Sequence, residues 1–161
     1  MTKQKVAFVG LGYIGLPTAV VMANSGVDVT GVDVNAANVE KINRGEVTIV
    51  EPGLQEELNK ALSSGRFRAT TEQVHADAYI IAVPTPFTDS YDVDMKFIYS
   101  AAEAIAPQLV GDELIVLEST SPPQTTAKMA ERILEIRTDL VADGAENPCL
   151  LYTSPSPRDR G

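Results

Sequence analysis

The chain has 161 residues, 44% hydrophobic and 22% charged, with a formal net charge of −9, one cysteine and one histidine. That length suits one domain with its own core, and the acidic balance excludes sequence-independent nucleic-acid binding, which needs a basic face. The lone cysteine excludes an internal disulfide, and the lone histidine leaves no cluster with zinc-ligand spacing.

Val6–Val9 is an unbroken apolar run, the pattern of a strand buried on both faces in a parallel sheet. Gly10, Gly12 and Gly15 follow with G-x-G-x-x-G spacing, and a helix is predicted over Leu16–Ser25, stopped by Gly26. Each glycine has a physical task. Gly10 permits the turn out of the strand, Gly12 keeps a side chain away from a pyrophosphate, and Gly15 allows close helix–strand packing. Residues Val6 to Ala23 are uncharged and follow two lysines, the outline of a signal peptide or a membrane span. The glycine spacing and Pro17 decide instead for a dinucleotide-binding turn, so no membrane association is expected.

Val27–Val32 predicts the second strand, and Asp33 stands at its carboxyl end. There a carboxylate accepts hydrogen bonds from ribose hydroxyls and repels a 2′-phosphate. Val34, not an arginine, follows it, so NAD is favoured over NADP. The competing role for Asp33 is a helix cap, for which Asn35 is also available. Asn35 opens a helix with Ala36, Val39 and Ile42 on one face, ended by Gly45. Glu46–Gly53 is a connector broken by Pro52-Gly53, and Leu54, Leu58 and Leu62 mark a third helix ended by Gly65.

A short strand over Phe67–Thr70 and a helical turn around Val74 lead to a fourth strand over Ala78–Val83. His75 reads as a solvent-side histidine. Pro84-Thr85-Pro86 stiffens the loop that leaves this strand at the carboxyl edge, where open α/β sheets bind ligands. Asp94 caps a helix carrying Ile98, Ala101, Ala102 and Ile105, and Leu114–Leu117 is the fifth strand. Glu118-Ser119-Thr120-Ser121-Pro122-Pro123 repeats the strand–loop–helix logic, with Ser121 as cap, Pro122 at the first helical position, and Thr125 and Thr126 in the first turn. Hydroxyls there either cap their own backbone or bond a ligand. The whole reads as a Rossmann-type, doubly wound, mainly parallel sheet.

Four co-linear stretches, G-L-G-Y-I-G-L-P, I-N-R-G-E…I-V-E-P-G-L, I-A-V-P-T-P-F and E-S-T-S-P-P, resemble the UDP-glucose/GDP-mannose dehydrogenase family over roughly residues 4 to 140. The resemblance implies NAD-dependent, two-step oxidation of a UDP-sugar C6 alcohol to a carboxylate, with UDP-N-acetyl-D-mannosamine as the implied substrate and UDP-glucose as the alternative. It implies NAD contacts at Tyr13, Ile14, Asp33, Thr85 and Thr126 and a catalytic-region threonine at Thr120, with no role carried onto Glu118. A cytoplasmic homodimer is implied for the full-length enzyme. A hydroxyacid-type NAD dehydrogenase and a non-catalytic NAD-binding module are the competing readings. The family's second oxidation uses a cysteine nucleophile, because an aldehyde must be held as a hemithioacetal before a second hydride can leave. Cys149 does not sit in that motif, so this chain alone is expected to be inactive. Residues 1–148 are read as the NAD-binding domain. Residues 149–161, rich in Ser, Pro and Arg at their end, are read as a tail foreign to the family, although Leu150–Thr153 has the composition to add a strand in sixth position.

Overall fold

The computed structural model describes residues 4–12, 15–47, 49–84, 86, 88–90, 94–111, 113–118, 125–138 and 150–153, the last four as backbone only. Six strands form one sheet: β1 (Lys5–Val9), β2 (Asp28–Val32), β3 (Phe67–Thr70), β4 (Ala78–Ile81), β5 (Leu114–Leu117) and β6 (Leu150–Thr153). All neighbours pair in parallel, in the order β3-β2-β1-β4-β5-β6. The helices are α1 (Gly15–Asn24), α2 (Ala36–Asn43), α3 (Leu54–Ser64), α4 (Lys96–Ile105) and α5 (Thr125–Ile136). This is the doubly wound order, reversing direction between β1 and β4, and it bears out the Rossmann-type reading.

Strand alternation divides the core into two layers. Val6 and Phe8 of β1, Val29 of β2 and Phe67 and Ala69 of β3 pack under α1, α2 and α3 through Leu16, Val20, Ile42 and Leu58. Ala7 and Val9 of the same β1 face the other way, with Tyr79, Ile81, Ile115 and Leu117, against Ile98, Ile105, Met129 and Ile133 of α4 and α5. The runs that read as apolar on both sides are buried on both sides, as a parallel sheet demands. Arg132 clamps α5 to α4 by bonding Glu103 while also bonding Glu135 at 2.9 Å. These partners, Glu103 first, hold the guanidinium above its ordinary pKa.

At the outer edge, the Asn43 amide stands in for a neighbouring strand. Its Nδ2 donates to the Ala69 carbonyl at 2.8 Å, and its Oδ1 accepts from the Ala69 N–H at 2.9 Å. One side chain thereby satisfies the outward N–H and C=O of Ala69 on an edge strand, the kind of unpaired edge that invites another chain.

Some expectations needed correction. There is no helical turn around Val74: residues 73–76 are irregular. The buried phenol of Tyr79 holds that segment instead, accepting from the Ala76 N–H at 3.1 Å and donating to the Val74 carbonyl at 2.9 Å. β4 ends at Ile81, two residues short of the apolar run. Ala36 is exposed, so the buried face of α2 rests on Val39 and Ile42. Asn35 does cap α2, accepting from Asn38 N. The cap position of α4 is Met95 and not Asp94, which lies one residue earlier and accepts from Lys96 N at 3.0 Å. His75 is exposed, with Nδ1 3.0 Å from the Gln108 carbonyl. Ser121 and Pro122 lie outside the described residues, as does Cys149. Among the described residues no helix is long and apolar enough to cross a membrane, and no group of His, Cys, Asp or Glu is arranged to hold a metal ion.

Candidate cofactor site at the carboxyl edge

The sheet ladder runs one residue past the strand ends and sets several loops on one edge. Gly10 N donates to Val32 O at 2.8 Å, Ala82 N to Val9 O at 2.8 Å, Asp33 N to Thr70 O at 3.1 Å, and Glu118 N to Ile81 O at 2.9 Å. The turn after β1 therefore sits between Asp33 and the segment after β4, at the point where the strand order reverses and a crevice opens.

The three glycines have different surroundings. Gly10 has φ +102°, and a Cβ there would lie 2.5 Å from the Ala82 carbonyl oxygen. A Cβ on Gly15 would fall 1.9 Å from the Gly10 oxygen, so the turn closes tightly on the first residues of α1. Among the described residues beyond its chain neighbours, a Cβ on Gly12 would meet nothing within 4 Å. The first and third glycines are demanded by the fold itself. The second has no such steric demand among those residues, and its open position beside the start of α1 is one that suits a phosphate. Gly15 thus serves the turn's closure on itself more than the helix–strand packing read from the sequence.

Asp33 is half-buried and tied both to the glycine turn and to the loop that opens α2. Its Oδ2 accepts from Leu11 N at 3.1 Å, and its Oδ1 accepts from Asn35 N at 2.9 Å. Beside it, Val34 puts an uncharged side chain, 96% exposed, where a cation would be needed to favour a 2′-phosphate. Thr126 stands in the first turn of α5, the helix that follows β5, and its Oγ1 is buried with no hydrogen-bond partner among the described residues. Buried hydroxyls without a partner are uncommon and call for an explanation such as a ligand. Gly10, Gly12, Gly15, Asp33 and Thr126 thus fall on one edge, while Tyr13, Ile14, Thr85 and Thr120 lie outside the described residues.

Two contributors went unread in the sequence. Leu11 is fully buried, and its side chain lies over Gly31, where a Cβ would come within 2.7 Å of Leu11 Cδ2. A glycine in mid-strand is the usual sign of such an approach, so the signal was present. Asn38, whose Nδ2 stands 3.5 Å from Asp33 Oδ2, left no such trace.

The NAD binding domain of the UDP-glucose/GDP-mannose dehydrogenase family matches residues 4–152. The chain belongs to that family. NAD is the cofactor of this domain, and the residues present fit it: an open position at Gly12, a carboxylate at the end of β2 bonded to the glycine turn, and a buried hydroxyl with no partner among the described residues. The family match extends four residues beyond the boundary drawn at 148, into β6. Among the family's members, the UDP-N-acetyl-D-mannosamine dehydrogenase of Escherichia coli K12 is 49% identical over 140 residues, 87% of this chain and 33% of that protein. The NDP-N-acetyl-D-galactosaminuronic acid dehydrogenase of Ralstonia nicotianae is 50% identical over 137 residues, 85% of this chain and 32% of that protein. The solved UDP-N-acetyl-mannosamine dehydrogenase of Staphylococcus aureus superposes with a TM-score of 0.84 at 38% identity, over 94% of this chain and 36% of its own. The chain therefore spans about a third of the length of these relatives.

Proposed function

We propose that these residues form the NAD-binding part of a UDP-sugar 6-dehydrogenase that oxidises UDP-N-acetyl-D-mannosamine to the corresponding uronate, using two NAD per turnover. The observation that carries this reading is the pairing of the open Gly12 position with Asp33, whose carboxylate is bonded to Leu11 within the same turn. Gly10–Gly15 with the start of α1 would hold the pyrophosphate, and Asp33 the adenosine ribose. Tyr13, Ile14, Thr85 and Thr126 would line the cofactor, and Thr120 would help orient the reacting carbon. The bound nicotinamide supplies a hydride acceptor. The names of the relatives above support the substrate assignment. A second reading, an N-acetylgalactosamine nucleotide as substrate, is favoured by the 50% identity to the Ralstonia protein.

The 161-residue chain alone is proposed to bind NAD without oxidising a sugar nucleotide, since its one cysteine, Cys149, is not in a nucleophile motif. A homodimer and a cytoplasmic setting, where NAD and sugar nucleotides are at hand, complete the reading for the longer enzyme. Calorimetry of this chain with NAD and NADP tests the cofactor assignment, and equal affinity for the two would remove Asp33 from it. NADH formation by an enzyme carrying this domain, with the two N-acetylated sugar nucleotides compared, tests the substrate. Oxidation of either by the 161-residue chain would refute its proposed inactivity.

A further inference from the structure

The opposite edge of the sheet carries a feature that the cofactor site does not use. On β1, β2 and β3, the residues facing α1–α3 are Val6, Phe8, Val29, Phe67 and Ala69. Alternation sends Lys5, Asp28, Thr30, Arg66 and Arg68 to the other face. There the second core layer, built from β1, β4, β5, α4 and α5, includes no residue of β2 or β3. The connection from β3 to β4, residues 71–77, contains no helix to cover them. The result is a cleft of about 290 Å³, lined by these residues and closed on one side by Val74, His75 and Ala76.

The charge in this cleft runs against that of the chain. The net charge is −9, yet Lys5, Arg66 and Arg68 converge here with one facing carboxylate, Asp28. Among the described residues none of the three cations has a carboxylate within ion-pairing distance. Asp77, the nearby acid, already accepts from the Lys5 backbone N–H at 3.0 Å. Arg66 Nε is buried and has no hydrogen-bond partner among the described residues. A buried guanidinium N–H without an acceptor is costly, and a planar fork of donors is the arrangement that suits phosphate oxygens. Thr30 lies opposite Arg68 in register and adds a hydroxyl to the same wall.

We propose that this cleft binds a small ligand carrying two or more linked phosphates, held by Arg66, Arg68 and Lys5 at the amino edge of the sheet, separate from the dinucleotide crevice. The proposal does not rest on the NAD reading. Two guanidinium groups and an ammonium match a polyphosphate better than a single monoanion, and the volume is too small for an extended nucleic-acid backbone.

The test is an amide chemical-shift titration of the full 161-residue chain with inorganic tripolyphosphate, with and without saturating NAD. Shifts at residues 5–6, 28–30, 65–68 and 74–76 that persist with NAD, and weaken as salt is raised, are the expected result. No shift there up to about 10 mM, or shifts confined to the Gly10–Gly15 turn and abolished by NAD, would overturn the site. The double variant Arg66→Gln, Arg68→Gln should bind tripolyphosphate at least about tenfold more weakly while keeping its NAD affinity. Unchanged tripolyphosphate affinity would sink the assignment. If the double variant does not fold, Arg68→Gln alone, at an exposed position, makes the same comparison with a smaller expected loss.

Discussion

Leu11 donates its backbone N–H to the Asp33 carboxylate at 3.1 Å, joining the glycine turn after β1 to the end of β2. The acid that would read the ribose thus also braces the turn that would hold the phosphates. Ligand affinity and local stability are coupled through one side chain.

Asp33→Ala should therefore weaken NAD binding by about 1–3 kcal/mol and lower stability, because both Leu11 N–H and Asn35 N–H lose their acceptor. Asp33→Asn retains a carbonyl oxygen for one of these donors. It should recover most of the stability but not the NAD affinity. Calorimetry and urea denaturation of both variants separate the two effects.

The glycines should part company in the same way. Gly15→Ala forces a Cβ to within 1.9 Å of a backbone oxygen and should cost about 3 kcal/mol or more of stability. Gly12→Ala meets no atom of the described residues beyond its chain neighbours and should leave stability within about 0.5 kcal/mol of the parent. Its NAD affinity should nevertheless fall at least about tenfold. Loss of stability without loss of binding in Gly12→Ala would contradict the cradle.

Thr126→Val replaces a buried hydroxyl, without a partner among the described residues, with a methyl group of similar shape. The unliganded protein should be as stable as the parent, or more stable by up to about 1 kcal/mol. Affinity for NAD should drop by about 0.5–1.5 kcal/mol. Thermal denaturation with and without NAD reads both changes in one experiment.

Asn43→Ala removes the two bonds that close the edge of β3 at Ala69. A loss of about 1–3 kcal/mol is expected, with faster amide exchange at Ala69 than at residues of β1. Unchanged exchange at Ala69 would mean that the amide is not the group protecting that edge.

Much of this was legible in the sequence, for identifiable reasons. β3 and β5 fall on the residues their patterns predicted, because a glycine of positive φ, Gly65 or Gly111, stands just before each of them. β4 ran short because hydrophobicity marks burial and not pairing: Ala82 still bonds Val9, yet the chain then leaves the ladder. The segment around Val74 misled because the force that organises it comes from Tyr79, a residue whose hydroxyl target has no local pattern. At the candidate site, Gly10, Gly12, Gly15 and Asp33 can be picked out by their spacing. The bond from Leu11 to Asp33 spans 22 positions, and the burial of the Thr126 hydroxyl depends on packing; neither is visible in a linear reading. The cationic cleft was equally hidden, since Lys5 is far from Arg66 and Arg68 along the chain and meets them only through strand order.

β1 gives Val6 and Phe8 to one core layer and Ala7 and Val9 to the other. The two halves of the sheet consequently share a backbone that neither can release alone. Opening either layer frees the strand on which the other is built, so the halves should melt as a single cooperative unit and their slowest-exchanging amides should report the same opening free energy.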